Sequence, residues 1–304
     1  MKILVTGSTG FVGTALVHAL LKDGHTVCRL VRPGTVVKDG AAEGIQVGWN
    51  PATGELGGAG VGPDAVVNLA GASIAAGRWT QARKTELRTS RIDTTRALVA
   101  ALAKMSVRPR VFVSASATGF YGDRGSEVLT EESQPGTDFL AALAKEWESE
   151  ARKAEALGIR VVLARFGIIL ARHGGALPRM MLPLKLFVGG KIASGKQWMS
   201  WISLEDVISI LRFALEKNEV RGPLNVISPQ PLQNAEFTKT LARALRRPAI
   251  LPAPGFVLRL LLGEMADALL LSSQRVIPQK LEQLGYQFQH QDLASALTAF
   301  LGAV

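Results

Sequence analysis

Three observations in the 304-residue sequence predict an α/β protein built on a doubly wound parallel sheet. Short β-branched runs alternate with longer helical patterns through the first half, most of these runs are apolar at nearly every position, and the first empties into a glycine-spaced turn. The last quarter lacks this alternation and reads as a smaller, mostly helical unit. At ~100–200 residues per domain the length accommodates both parts. The expected division is a sheet domain over 1–170 that is rejoined by about 203–228, a loop or lid over 171–202, and a C-terminal domain over 229–304.

In chain order, strands are expected at 3–6, 26–31, 46–49, 65–69, 110–115, 160–166 and 224–227. Their near-continuous apolar character is that of strands covered by helices on both faces. Helical spacing of apolar residues fills 13–23, 81–104, 138–157 and 203–215, with Gly24 and Gly158 as stop signals. Ser203 followed by Asp206 echoes a capping box at the start of the last of these. Paired glycines, prolines and two Trp residues give 171–201 no clear period, the texture of a functional loop. The apolar stretch 256–271 is interrupted by Arg259, Glu264 and Asp267 and is too short to span a bilayer, so a buried amphipathic helix is expected there.

Composition narrows the functional classes. With 47% apolar and 20% charged residues the chain is not of the disordered type. A single cysteine, Cys28, excludes an internal disulfide framework and a cysteine-based zinc site, and points to a reducing, cytoplasmic setting. The four histidines, His18, His25, His173 and His290, show no metal-ligand spacing, so no metal is expected. A net charge of +10 is compatible with nucleic acid, an anionic surface or an anionic small molecule. No nucleic-acid-binding module appears, and neither nucleic acid nor membrane is expected as a partner.

The turn after the first strand reads Thr6-Gly7-Ser8-Thr9-Gly10-Phe11-Val12-Gly13. Gly7 permits the tight turn, Gly10 lets backbone approach a pyrophosphate, and Gly13 lets the helix lie close to the strand. The first-turn amides of Phe11 and Val12 and the positive helix end would then hold the phosphates, with Thr9 in the turn. A strand before and a helix after supply the context that dinucleotide binding requires. At the end of the second strand, Arg29-Leu30-Val31-Arg32-Pro33 carries no acid to bond a ribose 2′-hydroxyl. Arg32 instead offers a guanidinium fork to a 2′-phosphate, so NADP(H) is favoured over NAD(H).

These motifs, with Asn68-Leu69-Ala70-Gly71 and Ser114-Ala115-Ser116-Ala117-Thr118-Gly119-Phe120-Tyr121-Gly122, resemble the extended short-chain dehydrogenase/reductase superfamily. Gly77-Arg78-Trp79-Thr80, Ser90-Arg91, Phe139-Leu140, Trp147-Glu148, Gly195-Lys196-Gln197-Trp198, Trp201-Ile202-Ser203, Gly222-Pro223-Leu224-Asn225 and Ile277-Pro278-Gln279-Lys280 look like its atypical branch of NAD(P)-dependent epimerases and dehydratases, the YfcH-type epimerase proteins. The resemblance implies a Rossmann domain, a smaller C-terminal substrate domain, and a cleft between them for a small-molecule substrate. It places Leu69, Ala70 and Gly71 along the cofactor's ribose and phosphate edge, and Arg91 where the superfamily's helix asparagine usually stands. Val31, Glu86 and Ile169 fall on segments it also brings near NADPH. For Glu86 and Arg91 a solvated helix face with intrahelical ion pairs is the competing reading.

Relatives of this type transfer hydride with a Tyr and a Lys four residues later, helped by a Ser or Thr. Ser116 matches the helper, but Phe139 stands at the Tyr position and Leu143 at the Lys position, while Lys145 faces another side of the helix. Either another acid serves, with Tyr121 in the Ser116 loop the best candidate, or the protein binds NADPH as a sensor or regulator; some relatives carry cell-division-inhibitor labels. Tyr121 could equally be a packing aromatic. In the lid-like stretch Met180, Met181, Phe187, Trp198 and Trp201 are expected to wall the cleft, with His173 near substrate. Relatives often have His where this chain has Ser203. The basic run Arg78, Arg83, Lys84, Arg88, Arg91 and Arg96 is expected to favour the anionic cofactor and an anionic substrate.

Overall fold

The computed structural model describes residues 1–32, 44–57 and 62–302. β1 (Lys2–Thr6) leads into α1 (Phe11–Lys22), followed by β2 (Thr26–Val31), β3 (Ile45–Asn50), β4 (Glu55–Leu56) and β5 (Ala65–Asn68). Next come α2 (Gln81–Arg88), α3 (Thr94–Ala103), β6 (Val111–Ala117), β7 (Val128–Leu129), α4 (Phe139–Arg152), β8 (Arg160–Phe166) and β9 (Ile168–Leu170). The chain continues through α5 (Leu177–Lys185), β10 (Trp198–Met199), β11 (Trp201–Ser203), α6 (Leu204–Glu216), β12 (Gly222–Val226) and β13 (Leu232–Gln233). It ends with α7 (Asn234–Ala244), α8 (Gly255–Leu262), α9 (Glu264–Ala266), β14 (Arg275–Val276), α10 (Gln279–Gln283) and α11 (Leu293–Leu301).

Eight strands form one sheet in the order β12-β8-β6-β5-β1-β2-β3-β4, parallel throughout except for the antiparallel β4 edge. All seven strands expected from the sequence lie in it. The chain leaves β1 toward β2 and β3, then returns to the other side at β5. That reversal opens the crevice at the carboxyl ends of β1 and β5 where ligands of such sheets bind. α1 and α6 bury Leu16, Leu20, Ile210 and Leu211 on one face of the sheet, and α3 and α4 bury Leu98, Leu102 and Ala151 on the other. A separate apolar cluster, with Leu177, Trp201, Phe237, Leu241 and Phe300, joins α5, β11, α7 and α11.

Three expectations need correction. The stretch 81–104 is not one uniform helix, because a π-helical turn at Thr89–Asp93 divides α2 from α3. The stretch 171–202 is not irregular throughout: it contains α5, whose pattern is obscured by Pro183 in its interior. The segment 256–271 does not begin as a buried helix. No residue of α8 is buried, Phe256 and Leu260 being 71% and 74% exposed, and burial resumes only at Met265 and Ala266. Apart from Arg259, α8 is apolar on every side but packs on one side only, so its other apolar residues face outward. Among the described residues no helix is long and apolar enough to cross a membrane.

Candidate functional site

The glycine turn is held by backbone fit. Gly7 has a φ of 64°, and a Cβ there would lie 2.5 Å from the carbonyl oxygen of Leu69 at the end of β5. A Cβ at Gly13 would collide with the carbonyl oxygen of Gly7, so this helix residue presses directly on the turn. The Gly10 N–H donates to the Gly7 carbonyl at 3.0 Å and closes the loop. Gly10 then opens α1 with an extended backbone, no side-chain cap and no acid in the first turn. The first-turn amides therefore point out of the crevice end of the sheet with the positive helix end behind them. Ser8 Oγ is buried in the same turn with no hydrogen-bond partner among the described residues. A donor-rich, acid-free turn with an orphaned hydroxyl fits a phosphate-bearing ligand.

Around it the other cofactor candidates fall into place unevenly. Val31 and the exposed Arg32 end β2, beside β1, whereas Pro33 lies outside the described residues. Thr6 Oγ1 accepts from the Leu69 and Ala70 amides at 3.1 and 3.2 Å, fixing the strand-end loop. The π-turn fixes its far side: Ser90 Oγ accepts from the Ala72 N–H at 3.1 Å, and Arg91 Nη2 donates to the Ala72 carbonyl at 2.9 Å. Arg91 lies against Gly71 and over the Trp147 ring, and burial together with Arg83 pushes its pKa down to about 10. Among the described residues it makes no intrahelical ion pair. Ile169 reaches the same place from β9, since Gly175 packs between the Ile169 carbonyl and the Phe11 ring. Glu86 pairs instead with Arg83 on the exposed face of α2, where its side chain is 57% exposed.

The basic run is largely neutralised within the chain. Besides Arg83–Glu86, Lys84 pairs with Glu264, Arg88 with Glu146, and Arg96 with Asp93 and Glu150. Of these cations Arg91 lies against the strand-end loop, with no carboxylate partner among the described residues. The Lys84–Glu264 pair and the bond from Arg179 to the Ala75 carbonyl tie α9 and α5 across to the segment that follows β5.

The two catalytic candidates occupy a buried network instead of an open cleft. Ser116 Oγ donates to Glu148 Oε1 at 2.7 Å, and Arg165 donates to both Glu148 oxygens at 2.8 and 2.9 Å. Arg165 also donates to Tyr121 Oη at 2.9 Å, and that hydroxyl donates to Asn225 Oδ1 at 2.7 Å. Glu131 Oε1 accepts from the Asn225 and Lys280 amides, which carries the network to the C-terminal part. Tyr121 is 0% exposed, so the expectation that it faces the nicotinamide is corrected: the 3₁₀ turn Thr118–Tyr121 rotates the ring into the core. Burial pushes its pKa from 10 up to about 12, opposite to the shift an acid working near neutrality needs. Ser116 is 3% exposed, with its proton committed to Glu148. Sequence reading missed Glu131 and Arg165 altogether, and treated Glu148, Asn225 and Lys280 only as parts of family-like motifs.

Replacing Tyr121 by Phe should lower stability by about 1–3 kcal/mol, because Asn225 Oδ1 loses its buried donor. Below pH 10 the phenol is protonated in both folded and unfolded chains. From pH 10 to 12 only the unfolded chain ionises, which removes about 3 kcal/mol as an order of magnitude. Urea titrations over that range should show a shallower alkaline loss in Tyr121→Phe than in the parent.

Where the Tyr-Lys pair would stand, the structure has hydrocarbon. Phe139 packs edge-on against Trp79 with centroids 5.3 Å apart, and Leu143 joins Leu87 and Ile92 in a small apolar cluster. Lys145 is exposed on the outer side of α4. The expected walls of the lid do not converge either. Met181 and Trp201 are core residues, Phe187 is 58% exposed, and Trp198 stacks with Arg275 at 4.4 Å. His173 is exposed. Ser203 caps α6, accepting from the Asp206 N–H at 2.9 Å, while Asp206 receives the Gln289 and His290 amides.

Comparison with known proteins identifies the family of the fold. The NAD dependent epimerase/dehydratase family matches residues 3–227, and a domain of unknown function, DUF1731, matches 253–300. An epimerase family protein of Mycobacterium leprae is 42% identical over 297 residues, 97% of this chain and 94% of its own length. YfhF of Bacillus subtilis is 39% identical, with 99% and 98% covered. Human epimerase family protein SDR39U1, solved with NADPH, matches with a TM-score of 0.88 at 34% identity over the whole of both chains. UDP-glucose 4-epimerase of Thermotoga maritima, solved with UDP-glucose, shares the fold at a TM-score of 0.78 and 16% identity, with 99% and 97% covered. The chain belongs to the NAD-dependent epimerase/dehydratase family.

Proposed function

We propose that the chain is a cytoplasmic, NADP(H)-binding, epimerase-like oxidoreductase of the YfcH type that acts on a small, anionic molecule. The observation that carries the reading is the uncapped, acid-free first turn of α1 over the orphaned Ser8 hydroxyl, with Arg32 and no carboxylate at the end of β2. In it the amides of Gly10, Phe11, Val12 and Gly13, with Thr9, hold the pyrophosphate, and Arg32 takes the 2′-phosphate. Leu69, Ala70, Gly71 and Val31 line the ribose edge, Arg91 adds positive charge beside Gly71, and Ile169 backs the turn through Gly175. NADPH in the structure of SDR39U1 supports the same cofactor here, whereas Bacillus cereus UDP-glucuronic acid 4-epimerase, solved with NAD, shares the fold at only 17% identity. When bound, the cofactor supplies or accepts hydride.

A second reading, a regulatory NADPH-binding protein linked to cell division and with little turnover, is favoured by the burial of Tyr121 and by Phe139 and Leu143. The two separate in one experiment, NADPH oxidation across a metabolite panel with pull-downs run alongside. The oxidoreductase reading expects turnover with a substrate, retained in Tyr121→Phe to the extent that the variant folds. Tight NADPH binding without turnover, with a partner recovered only in one cofactor state, would replace it by the regulatory reading.

A further inference from the structure

A cavity of about 540 Å³ opens on the outer side of α7. This helix turns Phe237 and Leu241 into the third apolar cluster and carries Ala235, Lys239 and Arg243, spaced by four, along its opposite face. Arg247, Ile250 and Pro252 form the facing wall, and Lys191 enters from the segment before β10. That segment is anchored where the Ala253 N–H donates to the Lys191 carbonyl at 3.0 Å and the Ala193 N–H to the Ala253 carbonyl at 2.9 Å.

The cavity gathers four cations and no carboxylate. None of the four makes an ion pair among the described residues, although much of the basic run near the cleft is paired. Lys239 and Arg243 are like charges one helical turn apart, an arrangement that destabilises a helix unless an anion compensates it. Between the cations the walls are apolar apart from Thr238, and Ile250 is 76% exposed. Arg247 is held in place, its guanidinium 5.0 Å over the Phe187 ring. The turn that delivers it has Arg246 at a φ of 51°, a left-handed helix end that glycine usually occupies. Bonds from the Arg246 N–H to the Arg243 carbonyl and from the Arg247 N–H to the Ala242 carbonyl close this turn. A cavity of this size is of the kind that takes small molecules.

We infer that this cavity is a second ligand site, built apart from the glycine turn, for an amphiphilic phosphate whose head is held by Lys191, Lys239, Arg243 and Arg247 and whose apolar body lies along Ile250 and Pro252. Phosphate is the group that four exposed cations lining one open cavity, with no acid among the lining residues, suit best. The same head chemistry occurs on a free phosphorylated metabolite and on a phospholipid. The neighbouring exposed side chains Phe187, Val188, Leu251 and Phe256 would face the acyl region in the second case.

The test titrates the full chain with methyl phosphate and hexyl phosphate, and separately floats it with phosphatidic acid vesicles. Hexyl phosphate should bind saturably and about tenfold tighter than methyl phosphate, since each buried methylene contributes. Lys239→Glu/Arg243→Glu should weaken that binding at least ~tenfold, with NADPH affinity and Tm unchanged. Capture by vesicles alone, lost in the same double variant, would assign the phosphate to a lipid headgroup. The inference is overturned if neither probe binds, or if the control Lys217→Glu on the far end of α6 weakens binding as much as the double variant does.

Discussion

Glu148→Gln should lower the free energy of unfolding by about 3–5 kcal/mol, because it leaves the Arg165 cation buried without its counter-ion. Arg165 and Glu148 have side chains 3% and 5% exposed, joined by two hydrogen bonds, and Ser116 completes the carboxylate's shell. Neutralising Glu148 keeps its shape but removes the charge that makes the guanidinium tolerable there. The Phe120 ring, 3.5 Å from the Arg165 Cζ, offers only a partial substitute. The control is Glu146→Gln: its pair with Arg88 has side chains 44% and 45% exposed, and its loss should cost about 1 kcal/mol or less. Urea unfolding of both variants checks the contrast, and equal small losses would show that the buried network does not hold β6, β8 and α4 together.

Gly13→Ala should cost NADPH roughly 10–100-fold in affinity, since displacing the first turn of α1 sacrifices charge-assisted hydrogen bonds worth about 1.5–3 kcal/mol each. The new methyl group would meet the Gly7 carbonyl oxygen and lie 2.9 Å from Ser8 Cα. Both are backbone, so neither can rotate away, and the helix must lift from the turn. Gly24→Ala separates this from a general glycine effect. Gly24 has a φ of 79° with nothing near its missing Cβ, so its replacement should cost about 1–2 kcal/mol of stability and leave affinity intact. Titration by fluorescence of the bound nicotinamide reads both variants.

The sheet and the glycine turn were legible because their signals are local. A parallel strand covered on both sides is apolar along its interior, as at Ile3, Leu4 and Val5 of β1 and Ala65, Val66 and Val67 of β5, and the turn is fixed by steric needs that glycine alone meets. The Ser203 N-cap of α6 was legible for the same reason, although Asp206 turns its carboxylate to the Ser203 hydroxyl and the Gln289 and His290 amides instead of closing a capping box. The buried network was not, because Ser116, Glu131, Glu148, Arg165, Asn225 and Lys280 are brought together by sheet order and a C-terminal crossing rather than by spacing. Tyr121 shows the cost: its place after β6 was visible, but the 3₁₀ turn that rotates it inward was not. α8 misled in the opposite sense, since an apolar helix carries no mark of whether its second side finds a partner. The π-turn that aims Ser90 and Arg91 at Ala72 left no signal either, its residues being ordinary helix formers.

The most direct measurement is a paired titration of NADPH and NADH against the parent chain and Arg32→Ala. The parent is expected to bind NADPH at least ~tenfold tighter than NADH, and the variant to lose this margin by weakening NADPH alone, as removal of a charge-assisted phosphate contact requires. Equal affinities in the parent, or a variant that weakens both cofactors alike, would contradict this expectation.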